Sequence, residues 1–182
     1  TTIASTQNDV DVDAGGAITT GAIAANITTG TIDLKGDSVS ATDTIDSGKG
    51  SVSIEATAND VNVTSVVAQN DITLKGDSVT ASDAITVDTA DGGSVVITAT
   101  NDVILSGANG VTSEDDITLV AGKDVKATTA HPDLLADNDI VITAGNDIDM
   151  NVDTATNMTA TAGDITISGD KIEIEGEVKA TA

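Results

Sequence analysis

Aspartates carry most of the chemistry this chain could offer. Thirty Asp and Glu stand against seven Lys plus Arg and a single His, for a formal charge of −23 over 182 residues. At one recurring turn the acidic and amide side chains fall into two adjacent columns. The first runs Asp37, Asn59, Asp77, Asn101, Lys123, Asn146, Asp170; the second runs Ser38, Asp60, Ser78, Asp102, Asp124, Asp147, Lys171. Asp102, Asp124 and Asp147 follow one another without a neutral residue between them. That run is the expected position for Ca²⁺, the one cofactor the composition leaves open, although such an ion takes roughly six to eight oxygens. The competing reading, which the turn chemistry favours, is that these side chains accept backbone N–H bonds and cap turns.

Other sets fall short of a recognisable site. Asp9, Asp11, Asp13 and Gly15 begin like a Ca²⁺-binding loop, but Ala14 occupies the glycine position and Thr20 stands where a bidentate Glu is required. Their alternation with Val10 and Val12 makes them outward residues of a strand. There is no Cys, Phe, Trp or Tyr, so thiolate chemistry and aromatic platforms are excluded. His131 has no second His or Cys to form a zinc or nucleophilic set, and no catalytic residue is expected. His131, Pro132 and Asp133 lie in the segment 128–138, which lengthens one repeat. A protruding loop there is the first place to expect contact with a ligand. Nucleic acid is excluded as a direct partner, because phosphate neutralisation needs a basic face.

The elements that must position these residues are legible as repeats. Leu-Lys-Gly-Asp-Ser-Val occurs at 34–39 and again at 74–79, and each 40-residue interval divides into two coils. A turn-forming residue recurs at Asn8, Gly30, Gly50, Asn70, Gly93, Asp115, Asn138 and Gly163, about 22 residues apart. After each comes an alternating strand, such as Val52 and Ile54 or Ile117 and Leu119. A second follows, such as Val61 and Val63 or Ile148 and Met150. A looser third side is marked by Ile23, Ile45, Val67, Ile85, Val111, Leu134, Val152 and Val178.

Period two is the strand signature, and coils this narrow bury their apolar residues only by stacking. The expected fold is all-β: one right-handed parallel β-helix over residues 1–182, with eight coils of about 22 residues and a height of roughly 38 Å. Aliphatic β-branched ladders fill such a bore well, consistent with the missing aromatics. The only helical turn expected is at Leu134-Leu135-Ala136, after Pro132.

Strings such as Asn70-Asp71-Ile72-Thr73-Leu74, 115–125 (DDITLVAGKDV) and 162–169 (AGDITISG) resemble the coils of filamentous haemagglutinin-like adhesins. The resemblance implies a secreted, surface-exposed β-solenoid of adhesive or fibrous role. That family's secretion domain is not recognisable here.

No polar cap is recognisable at either end of the stack. Ile18, Ile23 and Ile27 on one side, and Ile165, Ile167, Ile172, Ile174 and Val178 on the other, are therefore expected to meet copies of the same chain. The uncharged stretch 14–32 carries too many Gly and Thr to insert in a membrane. The leading expectation is an extracellular, non-enzymatic subunit or segment of a fibre. The alternative is an adhesin segment binding a host or surface ligand through the loop at His131. More distant is a polysaccharide-active β-helix, for which no paired acid and base stand out. An ice-binding Thr row is not read, because the middle residue of the first strands runs Asp33, Ser53, Thr73, Val96, Thr118, Val141, Thr166.

Overall fold

A computed structural model describes residues 3–5, 9–25, 30–88, 92–128, 132–150 and 156–181. Every assigned element among them is a β-strand, and every pairing is parallel. The cause is compositional: alternating Ile, Val, Leu and Thr suit a half-buried pleated surface and are indifferent in helix interiors.

The first side is a continuous eight-stranded sheet: Val10–Asp13, Ile32–Gly36, Val52–Ala56, Ile72–Gly76, Val95–Ala99, Ile117–Ala121, Ile140–Ala144 and Ile165–Ser168. Val10 and Ile165 are thus seven steps apart, about 22 residues per coil. The eight rungs expected from the repeats are present, with seven turns between the first and the last. The second and third sides join into one fifteen-stranded sheet, because Val39–Asp46 and Val61–Ala68 run continuously round the corner between them.

One register governs the core. Ile54, Leu74, Ile97, Leu119 and Ile142 stack on the first side at 0–1% exposure, and Val61, Val79, Val103, Val125 and Ile148 do the same on the second. No rung has a core of its own. Each inward side chain loses its contact with water to the coil before it and the coil after it.

Three local expectations are corrected. Leu134–Ala136 is a strand of the third side, with Leu134 and Ala136 inward and Leu135 outward, not a helical turn. Its pairing to Val111–Ser113 and to Met158–Ala160 outweighs local helix preference. On the third side the inward residue is Val66, at 0% exposure and opposite Ile45 and Ile85, so Val67 turns outward. The register shift between Ala41 and Thr44 moves the frame by one residue, which in a strand exchanges faces. Met158, opposite Leu134 and Val178, holds the inward place in the seventh coil. Asn8, Ile27, His131 and Val152 lie outside the described residues.

Candidate functional site

The aspartates that precede the strands make hydrogen-bonded steps from coil to coil, continuous over Asp116–Asp139–Asp164 and Asp102–Asp124–Asp147. Before the first strands, Asp9 Oδ1 accepts from Thr31 N at 2.8 Å, and Asp71 Oδ1 from Ser94 N at 3.0 Å. Asp116 Oδ1 accepts from Asp139 N at 3.0 Å, and Asp139 Oδ1 from Asp164 N at 2.8 Å. Before the second strands, Asp60 Oδ1 takes Ser78 N at 3.0 Å, Asp102 Oδ1 takes Asp124 N at 3.3 Å, and Asp124 Oδ1 takes Asp147 N at 3.2 Å. Before the third, Asp133 Oδ1 takes Asn157 N at 2.8 Å, and Asn157 Oδ1 takes Glu177 N at 3.3 Å.

Each bond links equivalent positions one coil apart, the backbone N–H of the later coil always donating to the side-chain oxygen of the earlier one. A strand's leading N–H has lost its in-plane partner at the corner, and a short acidic side chain from the rung beneath is placed to accept it. Asp139→Ala is expected to cost about 1 kcal/mol, the usual value of a lost oxygen cap, because Asp164 N then has only water. Equilibrium denaturation checks this, with Thr143→Ala on the same strand pair as the small-effect control.

At the expected metal position the structure brings Asp102 and Asp124 together, but around a cation from the chain itself. Lys126 Nζ lies 2.7 Å from Asp124 Oδ2 and 3.5 Å from Asp102 Oδ2. Among the described residues no group of three or more His, Cys, Asp or Glu side chains is arranged to hold a metal ion. Asp147 stands one rung further along the same column, contributing its amide to Asp124.

The Lys126 hydrogen bond, followed by that from the Asp147 amide, holds the Asp124 carboxyl below the usual carboxylate range. Asp124 in turn raises the Lys126 ammonium above the usual lysine range, with desolvation opposing. The depressed carboxyl contributes stability above its unfolded pKa and loses it as pH falls through the folded value. The raised ammonium contributes below its unfolded pKa and loses it as pH rises through the folded value. Lys126→Met should therefore melt below wild type through the neutral range, and the gap should close at both extremes of pH. Melting temperature against pH reads this directly.

A second ion-pair ladder crosses the outward face of the first side. Glu55 bridges Lys75 at 3.0 Å and Lys35 at 3.2 Å, and it is held below the usual carboxylate range by Lys75 first and Lys35 next. Exposure to water makes these bonds weak; their effect is to neutralise three rungs of an otherwise acidic surface.

The third side carries a groove near the expected ligand loop, about 500 Å³ in volume and open to solvent. Asn109, Thr112, Asp133, Leu135, Asn157 and Glu177 line it, with Leu135 42% exposed at its centre. Pro132, expected to protrude, is buried, whereas Asp133 is exposed on the rim. The groove residues were not legible as a set, because they come from four coils whose connecting corners differ in length.

At the ends of the stack the two expected apolar edges differ. Ile18 and Ile23 are buried at 7% and 1%, and Ile3–Ala4 pairs over Ile23. In the last rung Ile165, Ile167 and Ile174 are half-buried, while Ile172 and Val178 are 46% and 47% exposed. No family model matches the chain, and no curated protein or solved structure is similar to it. What stands of the haemagglutinin-like resemblance is the parallel β-solenoid itself.

Proposed function

We propose that this chain is an extracellular, non-enzymatic structural unit, a rigid β-solenoid subunit or segment of a fibre, that associates coil on coil with copies of itself. The observation that carries the reading is the unbroken parallel register, in which each rung from the second to the seventh buries its Ile, Val and Leu only against the rungs on either side of it. A rung of the same cross-section stacked on Ile165–Ser168, Lys171–Ile174 and Val178–Ala180 would cover Ile172 and Val178 in the same way. The carboxylates before the first and second strands support a structural role too, since they accept hydrogen bonds from backbone amides one coil away.

Net charge opposes association, so filament formation should rise with added salt as repulsion between copies is screened. Electron microscopy and sedimentation of the chain at neutral pH test the reading. Filaments or long rods are expected for the wild type, and Ile172→Lys with Val178→Lys should disperse them. Leu135→Lys, which adds the same charge to the third side, should not. Monodisperse short rods at all salt concentrations would overturn the proposal.

The groove beside Asp133 favours a second reading, an adhesin segment whose ligand sits on the third side. Leu135→Asp should then abolish attachment to the target surface while leaving the β-rich circular dichroism intact.

A further inference from the structure

Asn109 and Gly110 form the only Asn-Gly pair in the sequence, and they make the corner that leads into Val111–Ser113 on the third side. Asn109 is exposed in a turn. Gly110 is held from both neighbouring coils: its carbonyl accepts the Ile85 amide at 3.0 Å, and the Asp133 carbonyl oxygen lies where a side chain would stand. With φ of 66° and no Cβ, Gly110 puts no atoms of its own between its backbone nitrogen and the Asn109 side chain.

The following amide distinguishes this asparagine from its counterparts. Among the described residues the Gly110 N–H makes no hydrogen bond. The amides after Asn138, Asn146 and Asn157 are engaged: Asp139 N donates to Asp116 Oδ1, Asp147 N to Asp124 Oδ1, and Met158 N to the Glu177 carbonyl. A nitrogen that donates to the next coil cannot give up its proton without breaking that bond. Asn109 Nδ2 itself donates to Asp83 Oδ1, one coil earlier.

We propose that Asn109 is a modification site, where spontaneous deamidation by water turns its hydrogen bond to Asp83 into a like-charge contact. Asparagine is chemically labile, and holding amide and carboxamide in one turn makes the attack intramolecular. Gly110 N loses its proton to water and bonds to Asn109 Cγ. The Cγ–Nδ2 bond breaks, and the nitrogen leaves as ammonia with a proton from water. A second water opens the cyclic imide at Cγ to give aspartate, or at the main-chain carbonyl carbon to give isoaspartate; nothing is oxidised or reduced. Asp83 thereby loses a donor and meets a carboxylate instead. The new charge also joins Asp133 and Glu177 in the lining of the third-side groove, so the groove becomes more anionic with age, in one direction only.

Peptide mass mapping of the full folded chain, aged at mildly alkaline pH beside the same chain in denaturant, tests this. Position 109 should gain about one mass unit in the folded chain at a rate within roughly tenfold of the unfolded rate, while Asn138, Asn146 and Asn157 stay intact. Asn109→Asp, which makes the product directly, should melt below wild type at neutral pH, and the gap should close as the carboxylates protonate. Exchanging the pair, Asp83→Asn with Asn109→Asp, should restore most of the loss. An Asn109 that survives in the folded chain while the unfolded chain converts would overturn the proposal, as would conversion of Asn138, Asn146 and Asn157 at the same rate. Asn109→Asp melting with wild type at every pH would overturn the like-charge contact.

Discussion

Leu119→Ala is expected to lower the stability of the stack by about 3 kcal/mol, within the roughly 2–5 kcal/mol range for truncating a buried leucine. For a chain of this size that corresponds to a fall in melting temperature of roughly 6–12 °C. Leu119 is fully buried and sits between Ile97 and Ile142 in register, which are themselves at 0% exposure. Neither neighbour can move into the space without leaving its own ladder, so the cavity persists rather than collapsing. The comparison that gives the result meaning is Ile172→Ala in the last rung. Ile172 is 46% exposed, and in dilute solution its truncation should cost much less. If copies stack on that rung as proposed, the cost of Ile172→Ala grows with protein concentration, whereas that of Leu119→Ala does not. Denaturation at two concentrations separates the outcomes, and equal shifts at both would count against the stacking.

The two kinds of residue differ in how legible they were. First-side positions such as Ile54, Leu74 and Leu119 could be read directly, because the turn from first to second strand varies little. Ile32 to Val39 and Ile72 to Val79 each span seven residues, and Ile117 to Val125 spans eight. The corner between the second and third sides has no such regularity. It takes three residues from Val63 to Val66, four from Ala41 to Ile45 and eight from Met150 to Met158. Lateral pairing, not spacing, decides which residue there turns inward. That is why Val67 was expected where Val66 lies, and why Leu134–Ala136 suggested a helical turn but pairs as a strand. The capping role of the aspartates was legible from residue type and position. Lys126 between Asp102 and Asp124 was not, since a lone lysine on an outward strand position carries no mark of the neighbour it will find one coil away.

Gly110→Ala is expected to destabilise the stack by about 3 kcal/mol. Two effects coincide. Gly110 has φ of 66°, a left-handed conformation that costs an L-residue roughly 1–2 kcal/mol. A methyl group there would also meet the backbone carbonyl oxygen of Asp133, an overpacking that typically adds about 1–3 kcal/mol. The obstructing carbonyl cannot yield cheaply, because it accepts the Val111 amide at 2.9 Å and so starts the pairing of the third side. Gly92 supplies the control: its φ is 77°, but a methyl would meet nothing within 4 Å, so Gly92→Ala should show only the conformational cost. The site also bears on function, since Gly110 adjoins Asn109 and presses on Asp133, both of which line the third-side groove. An adhesive role for that groove predicts that Gly110→Ala reduces attachment by more than its loss of stability explains, whereas Leu119→Ala affects attachment only through unfolding. Attachment assayed well below both melting temperatures distinguishes the cases. A Gly110→Ala chain that is destabilised yet attaches like wild type would leave the groove as surface relief, with the last rung as the site of contact.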